Sequence, residues 1–181
     1  MHAKGYLIFV KAKIPSTVGT VASLHLHPAK GGQPFQPVEE MELNEGKGIL
    51  GNPRYFARIR GNGEVSKRQV SIIEREQIAE HAETLGLKRI PPGIVRSNIE
   101  TSGIDLIELL GWEVEVGEAL VHFYEARTPC AKMDQIAPGL RKLMCNDQQG
   151  VLGQVVRSGK VMVGDKVKGV RFLAPTRPNL P

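Results

Sequence analysis

The sequence predicts a mainly β protein with a few helices, an α+β fold in which the strands form a barrel. Its 181 residues include 20 glycines and 12 prolines, spread over the whole length. The apolar segments between them are short and often alternate with polar residues, as half-buried strands do. Residues 111–124 and 159–172 also share one pattern: a turn, a short strand, a glycine with an acid, then another strand. Such glycine corners let strands turn around a closed or nearly closed barrel.

The strands follow from this alternation. In the first predicted strand, Val21, Ser23 and His25 lie on one face. A glycine in a two-residue connection is typical of a hairpin turn, so residues around Ser158-Gly159 are expected to join two paired strands. We predict strands at residues 17–26, 68–73 and 113–124, the last broken at Gly117-Glu118, and a hairpin of residues 150–157 with 160–163.

Helices are fewer. The strongest prediction is residues 74–85, where apolar residues recur at helical spacing before Gly86, a typical helix stop. A short helix is predicted at residues 104–110, capped by Ser102, and a third at residues 137–144.

The chain is expected to be a single domain over residues 1–181, with its core at about 18–170 and a flexible tail at 174–181. A hydrophobic fraction of 41% and a charged fraction of 24% are ordinary for a globular protein. Two cysteines in this length do not indicate a disulfide scaffold, so we expect free thiols and a cytoplasmic protein. The early apolar stretch at residues 6–10 is too short for a membrane span or a secretory leader.

The net charge of +5 favours an anionic partner. Aromatic residues make up only 5% of the chain, which supplies few platforms for base stacking. The charges are spread, so an ordinary solvated surface is the first interpretation; a small anion, such as a phosphorylated cofactor, ranks next and nucleic acid third. A non-catalytic binder of an anion or of nucleic acid therefore stays an alternative, and no membrane partner is expected.

The most informative motif is Arg127-Thr128-Pro129-Cys130-Ala131-Lys132. A thiol attacks or binds metal as its thiolate, and neighbouring cations favour that form. Pro129 disfavours regular helix before the cysteine, so Cys130 is expected on a stiff basic turn. A buried structural cysteine is the alternative.

Four polar segments could converge on Cys130, although each could also be a plain surface loop. They offer the cations Arg54, Arg68 and Arg96 together with backbone donors. The pair His25-x-His27 lacks a clear third ligand, so it does not predict a metal site. The segments are residues 48–54, 67–71, 92–103 and 148–151.

Taken together, the ordered motifs resemble the MOSC domain, the module also found at the C-terminus of molybdenum cofactor sulfurases. The resemblance covers about residues 18–170 and implies a small stand-alone member of bacterial type. The matching pieces are residues 48–54, 68–73, 96–99 with 101–106, Gly117, Thr128-Pro129-Cys130, Gly150-Val151 and 159–167.

The resemblance implies a barrel with a cleft for the molybdenum cofactor. In the family, the cysteine that matches Cys130 is the reactive thiol, either a molybdenum ligand or a carrier of sulfane sulfur. Relatives reduce N-hydroxylated compounds, so the implied activity is reduction of an N–O bond in a small-molecule substrate. The electrons would come from a separate reductase; for the sulfur carrier, the partner would be a cysteine desulfurase. Pyridoxal phosphate is not expected, because it belongs to a separate domain of the sulfurases. The implied cofactor-binding residues are Arg54, Arg68, Arg96, Asn98, Thr101, Ser102, Thr128 and Lys132.

Two positions depart from the family pattern. The first loop often contains Gly-Asp-Arg-His, where this chain has Gly51-Asn52-Pro53-Arg54. Many members have arginine where this chain has Gln149. Cofactor anchoring is therefore expected to depend more on Arg68 and Arg96.

Overall fold

A computed structural model describes residues 17–173, and strands dominate this part of the chain. The strands are β1 Gly19–Leu26, β2 Gln36–Val38, β3 Glu40–Asn44, β4 Gly48–Ile49, β5 Val70–Glu74, β6 Ile99–Ser102, β7 Trp112–Val116, β8 Ala119–Ala126, β9 Val151–Arg157, β10 Gly159–Met162 and β11 Lys166–Phe172.

Seven of these strands form a closed barrel in the order β1, β6, β5, β9, β8, β7, β11. Pairing of Gly19 with Val167 and of Thr20 with Lys166 brings β11 back to β1. Only β5 and β6 run parallel in the barrel, and β2 extends the sheet beside β1. The predicted β-barrel is therefore confirmed.

The predicted hairpin of β9 with β10 is wrong. Strand β10 pairs with β3, from Gly159 opposite Leu43 to Met162 opposite Glu40, and β3 pairs with β4 in a separate three-stranded sheet. Ser158 alone connects β9 to β10, and one residue is too short for a two-residue hairpin turn. The chain bends there and changes sheet instead.

The predicted glycine corners are confirmed. Gly117 between β7 and β8 has φ of 58°, and Gly164 between β10 and β11 has φ of 91°. A Cβ on Gly117 would lie 2.8 Å from the carbonyl oxygen of Lys160. Glycine at position 117 therefore allows the positive φ and also leaves room for the backbone of β10 at Lys160 to approach closely.

Three α-helices lie among the described residues: α1 at Arg75–Thr84, α2 at Lys132–Ile136 and α3 at Leu140–Leu143. Helix α1 confirms the first helix prediction. The helix predicted at residues 137–144 is shortened to α3, and α2 was not predicted. Its five residues bury only Met133, too little for a periodic pattern.

The segment predicted as a short helix after Ser102 contains a 3₁₀ turn at Ile107–Leu109. Ser102 does not cap it, because Ser102 still belongs to β6 and its hydroxyl bonds to that of Thr20. Asp105 accepts the backbone N–H groups of Ile107 and Glu108 instead. The side-chain oxygen of Asp105 thus caps the turn by accepting backbone N–H groups, which is the role that was predicted for the Ser102 hydroxyl.

Two apolar cores hold the structure together. The barrel core includes Phe123, Ile72 and Leu24 and receives Leu43 and Val161 from the small sheet. The second core packs the helices against the barrel wall and consists of Ile73, Ile78, Ala82, Ile90, Val95, Met133, Ala137, Leu140 and Met144.

No helix of residues 17–173 has the length and apolar content needed to cross a lipid bilayer. The predicted tail at residues 174–181 and the apolar stretch at residues 6–10 lie outside the described residues.

Candidate functional site

Cys130 lies at the end of the irregular segment between β8 and α2, and its side chain is exposed. The chain is fixed on both sides of it. The backbone N–H of Arg127 donates to Gly150 at 2.8 Å, and the N–H of Met133 donates to the carbonyl of Cys130 at 3.0 Å. Full burial of the Met133 side chain stabilises this attachment by about 2 kcal/mol. The thiol is therefore accessible but held on an anchored turn.

Gly150 is essential to that anchor. It has φ of 70°, and a Cβ at this position would clash with the carbonyl oxygen of Ile72. Only glycine lets the start of β9 approach β5 closely enough for its carbonyl to receive the Arg127 N–H.

Arg127 fixes a positive charge beside the thiol. Its side chain is only 8% exposed, and its guanidinium donates to the carbonyls of Arg96 at 3.0 Å and Val95 at 3.5 Å. Burial, and then the charge of Arg68, lower the pKa of Arg127 to about 10. A negative charge on Cys130 would raise that pKa again, so the two groups lie within range of each other's charges. The buried guanidinium of Arg127 and the exposed sulfur of Cys130 are therefore close enough to interact electrostatically.

An open cleft of about 520 Å³ adjoins this segment. We call it the arginine cleft after Arg58, Arg60, Arg68 and Arg127, which line it together with Thr128. Among residues 17–173, Glu125 is the only acid in the lining. The cleft therefore has a strong excess of positive charge and suits an anion.

His27 lies among four converging arginines. Burial, followed by the charges of Arg96, Arg127, Arg68 and Arg54, lowers the pKa of His27 to about 3. The imidazole is therefore neutral near pH 7. Burial is the larger cause, and charges from three separate loops and from the Cys130 segment add to it at this one ring.

Aromatic rings link the arginines around His27. The His27 ring lies 4.2 Å from that of Phe35 and 4.7 Å from that of Tyr55, centroid to centroid. The guanidinium of Arg68 lies 5.3 Å from the Tyr55 ring, and that of Arg96 lies 5.0 Å from the Phe35 ring. Stacking on these aromatic faces fixes the positions of the two guanidinium groups and offsets part of the repulsion between them.

Asn98 positions His27. Its Oδ1 accepts the backbone N–H and the hydroxyl of Ser71, so its Nδ2 is the donor to the carbonyl of His25 and to Nδ1 of His27. With Nδ1 accepting, the proton of the neutral imidazole is on Nε2. The predicted binding residue Asn98 thus has both side-chain atoms engaged within the protein.

The other predicted residues divide into four groups. Arg68 and Thr128 line the arginine cleft, whereas Arg96 and Lys132 line a second, smaller pocket. Arg54 lies close enough to lower the pKa of His27. Thr101 and Ser102 lie elsewhere: the Thr101 hydroxyl donates to the carbonyl of Ile73, and Ser102 bonds to Thr20 at the closing edge of the barrel.

Some residues at this site were missing from the predicted binding set. Arg127 was predicted only as a source of positive potential, and Arg58 and Arg60 were not in the predicted set. The His25-x-His27 pattern did not reveal the place of His27, and Tyr55 had no local pattern, because the roles of both come from contacts between distant loops.

Comparison with known proteins gives the family. A family model described as the MOSC domain matches residues 34–168. The chain belongs to the MOSC domain family. No curated protein sequence matches this one significantly. MOSC domains are associated with binding of the molybdenum cofactor.

Solved structures confirm the fold. YuaD from Bacillus subtilis superimposes with a TM-score of 0.73 at 20% identity, covering 88% of this chain and 100% of that one. YiiM from Geobacillus stearothermophilus gives 0.62 at 18% identity, with 84% and 75% covered. YiiM from Escherichia coli gives 0.61 at 21% identity, with 88% and 72% covered. At these identities the likeness establishes the shared architecture.

Each departure from the MOSC pattern includes one buried polar side chain, whereas Pro53 and Arg54 of the first are exposed. Asn52 is 1% exposed, and neither polar atom of its side chain has a hydrogen-bond partner among the described residues. Gln149 is also 1% exposed; its amide donates to the sulfur of Met133, and its Oε1 has no described partner. Neither side chain adds a cation to the cleft, which leaves that role to the arginines.

The residues present fit the molybdenum cofactor. The arginine cleft suits its phosphate, and a thiolate is a soft ligand appropriate to a metal already bound by sulfur. Within residues 17–173, no three His, Cys, Asp or Glu side chains lie together in a way that could hold a metal. A metal at Cys130 would therefore need the ligands that the cofactor brings.

Proposed function

We propose that this MOSC protein binds the molybdenum cofactor in the arginine cleft, with Cys130 as the protein ligand to molybdenum, and reduces N-hydroxylated compounds. One observation carries the proposal: the exposed thiol of Cys130 follows, by two residues, Thr128 in the lining of a cleft with four arginines, and it lies within range of the charge of one of them, Arg127.

The cations would hold the anionic part of the cofactor. Arg58, Arg60 and Arg68 are exposed and line the cleft, so their planar guanidinium groups can form paired hydrogen bonds to a phosphate. The Thr128 hydroxyl lines the same cleft and can donate a further bond. Their positions fix where the phosphate lies relative to Cys130.

Arg127 would place a fixed positive charge near a Cys130 thiolate that binds the metal. The guanidinium cannot turn away, because it donates to two backbone carbonyls. A fixed positive charge next to sulfur stabilises the thiolate relative to the thiol. Arg127 therefore acts through Cys130 and is a positioning residue.

When bound, the cofactor supplies a molybdenum centre that can exchange two electrons with a substrate. Reduction of an N-hydroxyl group consumes two electrons and two protons, breaks the N–O bond and releases water. A separate reductase would supply the electrons. This chain would supply the binding site for the substrate and the thiolate that holds the metal.

Molybdenum content tests the proposal, and Cys145 offers a matched control because it is also free and exposed. The wild type, Cys130→Ser and Cys145→Ser are purified from a host that makes the cofactor. We expect molybdenum and reduction of an N-hydroxylated substrate, such as benzamidoxime, with the wild type and Cys145→Ser, and loss of both with Cys130→Ser. Equal molybdenum and activity in all three proteins would refute the assignment of Cys130.

The exposure of Cys130 also favours a second candidate, a sulfur carrier, since a partner protein can reach the thiol. The Cys130 thiolate would attack the outer sulfur of a cysteine desulfurase persulfide; a new S–S bond forms, and the desulfurase thiolate leaves. Incubation with a desulfurase and cysteine should then add the mass of one sulfur, and Cys130→Ser should abolish the addition. An unchanged mass of the wild type would eliminate this candidate.

A further inference from the structure

A second pocket of about 200 Å³ adjoins the Cys130 segment on another side. Lys132, two residues after Cys130, lines this pocket, whereas Thr128, two residues before it, lines the arginine cleft. The two cavities are also joined through Arg127, which lines the cleft and donates to the carbonyl of Arg96, whose side chain lines the pocket. The segment that carries the thiol thus separates a large cavity from a small one.

The small pocket combines an apolar wall with two cations. Phe35, Ile94 and Ile136 provide apolar surface, and Arg96 and Lys132 provide the charges. A cavity of roughly 150 Å³ can hold one benzene ring. The pocket is therefore large enough for a single ring with a small substituent, but it is far below the volume of the arginine cleft.

Neither cation has an acidic partner within the protein. The ion pairs among the described residues include neither Arg96 nor Lys132. The residues outside the described range, 1–16 and 174–181, contain no Asp or Glu. The nearest acid in sequence, Asp134, accepts the backbone N–H groups of Gly139 and Arg141 instead.

The backbone at Arg96 supports a binding role. Arg96 has φ of 63°, a left-handed conformation that is unfavourable for residues with a Cβ other than Asn and Asp. The surrounding hydrogen bonds hold it there: its N–H donates to Gly93, and its carbonyl accepts from Arg127. Strain of this kind is often retained where a side chain has to be aimed at a ligand.

We infer that this pocket is the substrate subsite and that it selects N-hydroxylated compounds that carry an anionic group on a small apolar body, such as a ring with a carboxylate. The ring lies against Phe35, Ile94 and Ile136, and the carboxylate binds Arg96 and Lys132. A cationic compound of the same shape is excluded by charge repulsion. The substrate role of the pocket rests on the proposed function, whereas the binding of an anionic ring compound does not depend on it.

Binding is tested on the cofactor-free full chain, so that it does not depend on molybdenum. Benzoate and its neutral isostere benzamide are titrated into ¹⁵N-labelled protein, and amide shifts are followed by NMR. We expect benzoate to bind about tenfold more tightly than benzamide, with shifts concentrated at Gly93, Ile94 and Ile136. Equal affinities, or shifts confined to the arginine cleft, would overturn the inference.

Two variants and a control assign the charges. Lys132→Ala and Arg96→Asn should each weaken benzoate binding about tenfold; asparagine is chosen because it tolerates the left-handed backbone at position 96. Lys142→Ala removes a lysine that is equally exposed on α3 and should leave binding as in the wild type. Benzoate affinity unaffected by both pocket variants would contradict the assignment.

The loaded wild type links the pocket to the reaction. It should reduce 4-carboxybenzamidoxime with a kcat/KM about tenfold above that for benzamidoxime, and Lys132→Ala should lower this ratio. A ratio of one despite benzoate binding would mean that the pocket is not the substrate subsite. If benzoate binds but reduction of the benzamidoximes does not depend on molybdenum, the proposed function is wrong. The assignment of the anion pocket would still stand.

Discussion

The protein carries two exposed cysteines in similar local sequences, and they differ in what surrounds them in space. Cys130 has Arg127 and Lys132 nearby in the chain, and Cys145 has Arg141 and Lys142. The thiol of Cys145 donates to the carbonyl of Arg141 in the preceding helix, α3. Its shallow surroundings include Asp134 as well as the two cations.

At Cys130 the arginines come from several parts of the chain. Arg54 follows β4, Arg68 precedes β5 and Arg96 precedes β6, and all three act with Arg127 on His27. Basic neighbours in sequence therefore do not distinguish the two cysteines. Convergence of charge from distant segments does, and the fold supplies that convergence.

The largest effect is expected for anion binding at the arginine cleft. Arg68→Ala removes a guanidinium that lines it, and a charged hydrogen bond to a phosphate is worth about 1.5–3 kcal/mol. Calorimetric titration of the cofactor-free protein with phenyl phosphate should show a loss in affinity of about tenfold or more. The matched variant Arg141→Ala, beside Cys145, should bind as the wild type does. If both variants lose the same affinity for phenyl phosphate, the arginine cleft and the surroundings of Cys145 do not differ in anion binding.

A second, pH-dependent effect is expected at His27. The unfolded chain protonates this histidine near pH 6.5, whereas the folded protein does so only near pH 3. The contribution of the neutral side chain to stability is therefore complete above pH 6.5 and is lost as the pH falls towards 3, by at most about 1.4 kcal/mol per pH unit. His27→Gln should reduce this loss in denaturant unfolding measured between pH 7 and 4. An identical acid profile for the two proteins would show that the arginines do not crowd His27.

The smallest effect concerns the two thiols directly. An anionic disulfide reagent should modify Cys130 roughly three- to tenfold faster than Cys145, because the net positive charge around Cys130 raises the local reagent concentration. The ratio should fall towards one in 1 M salt, where charges are screened within about 3 Å. Rates are measured with Cys145→Ser and Cys130→Ser, each of which retains one thiol. A ratio that does not change with salt would contradict the electrostatic explanation.

The barrel could be predicted from sequence because its corners depend on local chemistry. Gly117 and Gly164 adopt the positive φ that only glycine takes readily, and short alternating segments between such corners define strands. The failure at Ser158 shows the limit of local patterns. Which strand pairs with β10 is decided by the register of distant residues around Leu43, and no local pattern encodes it.

The candidate site could be predicted only in part. Cys130, Arg68 and Thr128 stand out by residue type; Arg68 and Thr128 line the arginine cleft, and Cys130 follows Thr128 by two residues. Thr101 and Ser102 have equally suitable side chains, but β6 carries them along the barrel wall, where Thr101 pairs with Glu74 and Ser102 with Thr20. The role of His27 depends on contacts with four loops, and sequence alone cannot supply those.

The most direct test of the assignment of Cys130 is alkylation of the cofactor-loaded protein, read out by peptide mass spectrometry. Iodoacetamide should modify Cys145 in full and leave Cys130 unmodified, and removal of the cofactor should make Cys130 reactive. If Cys130 is modified to the same extent with and without cofactor, it is not the ligand, and the proposed site is wrong.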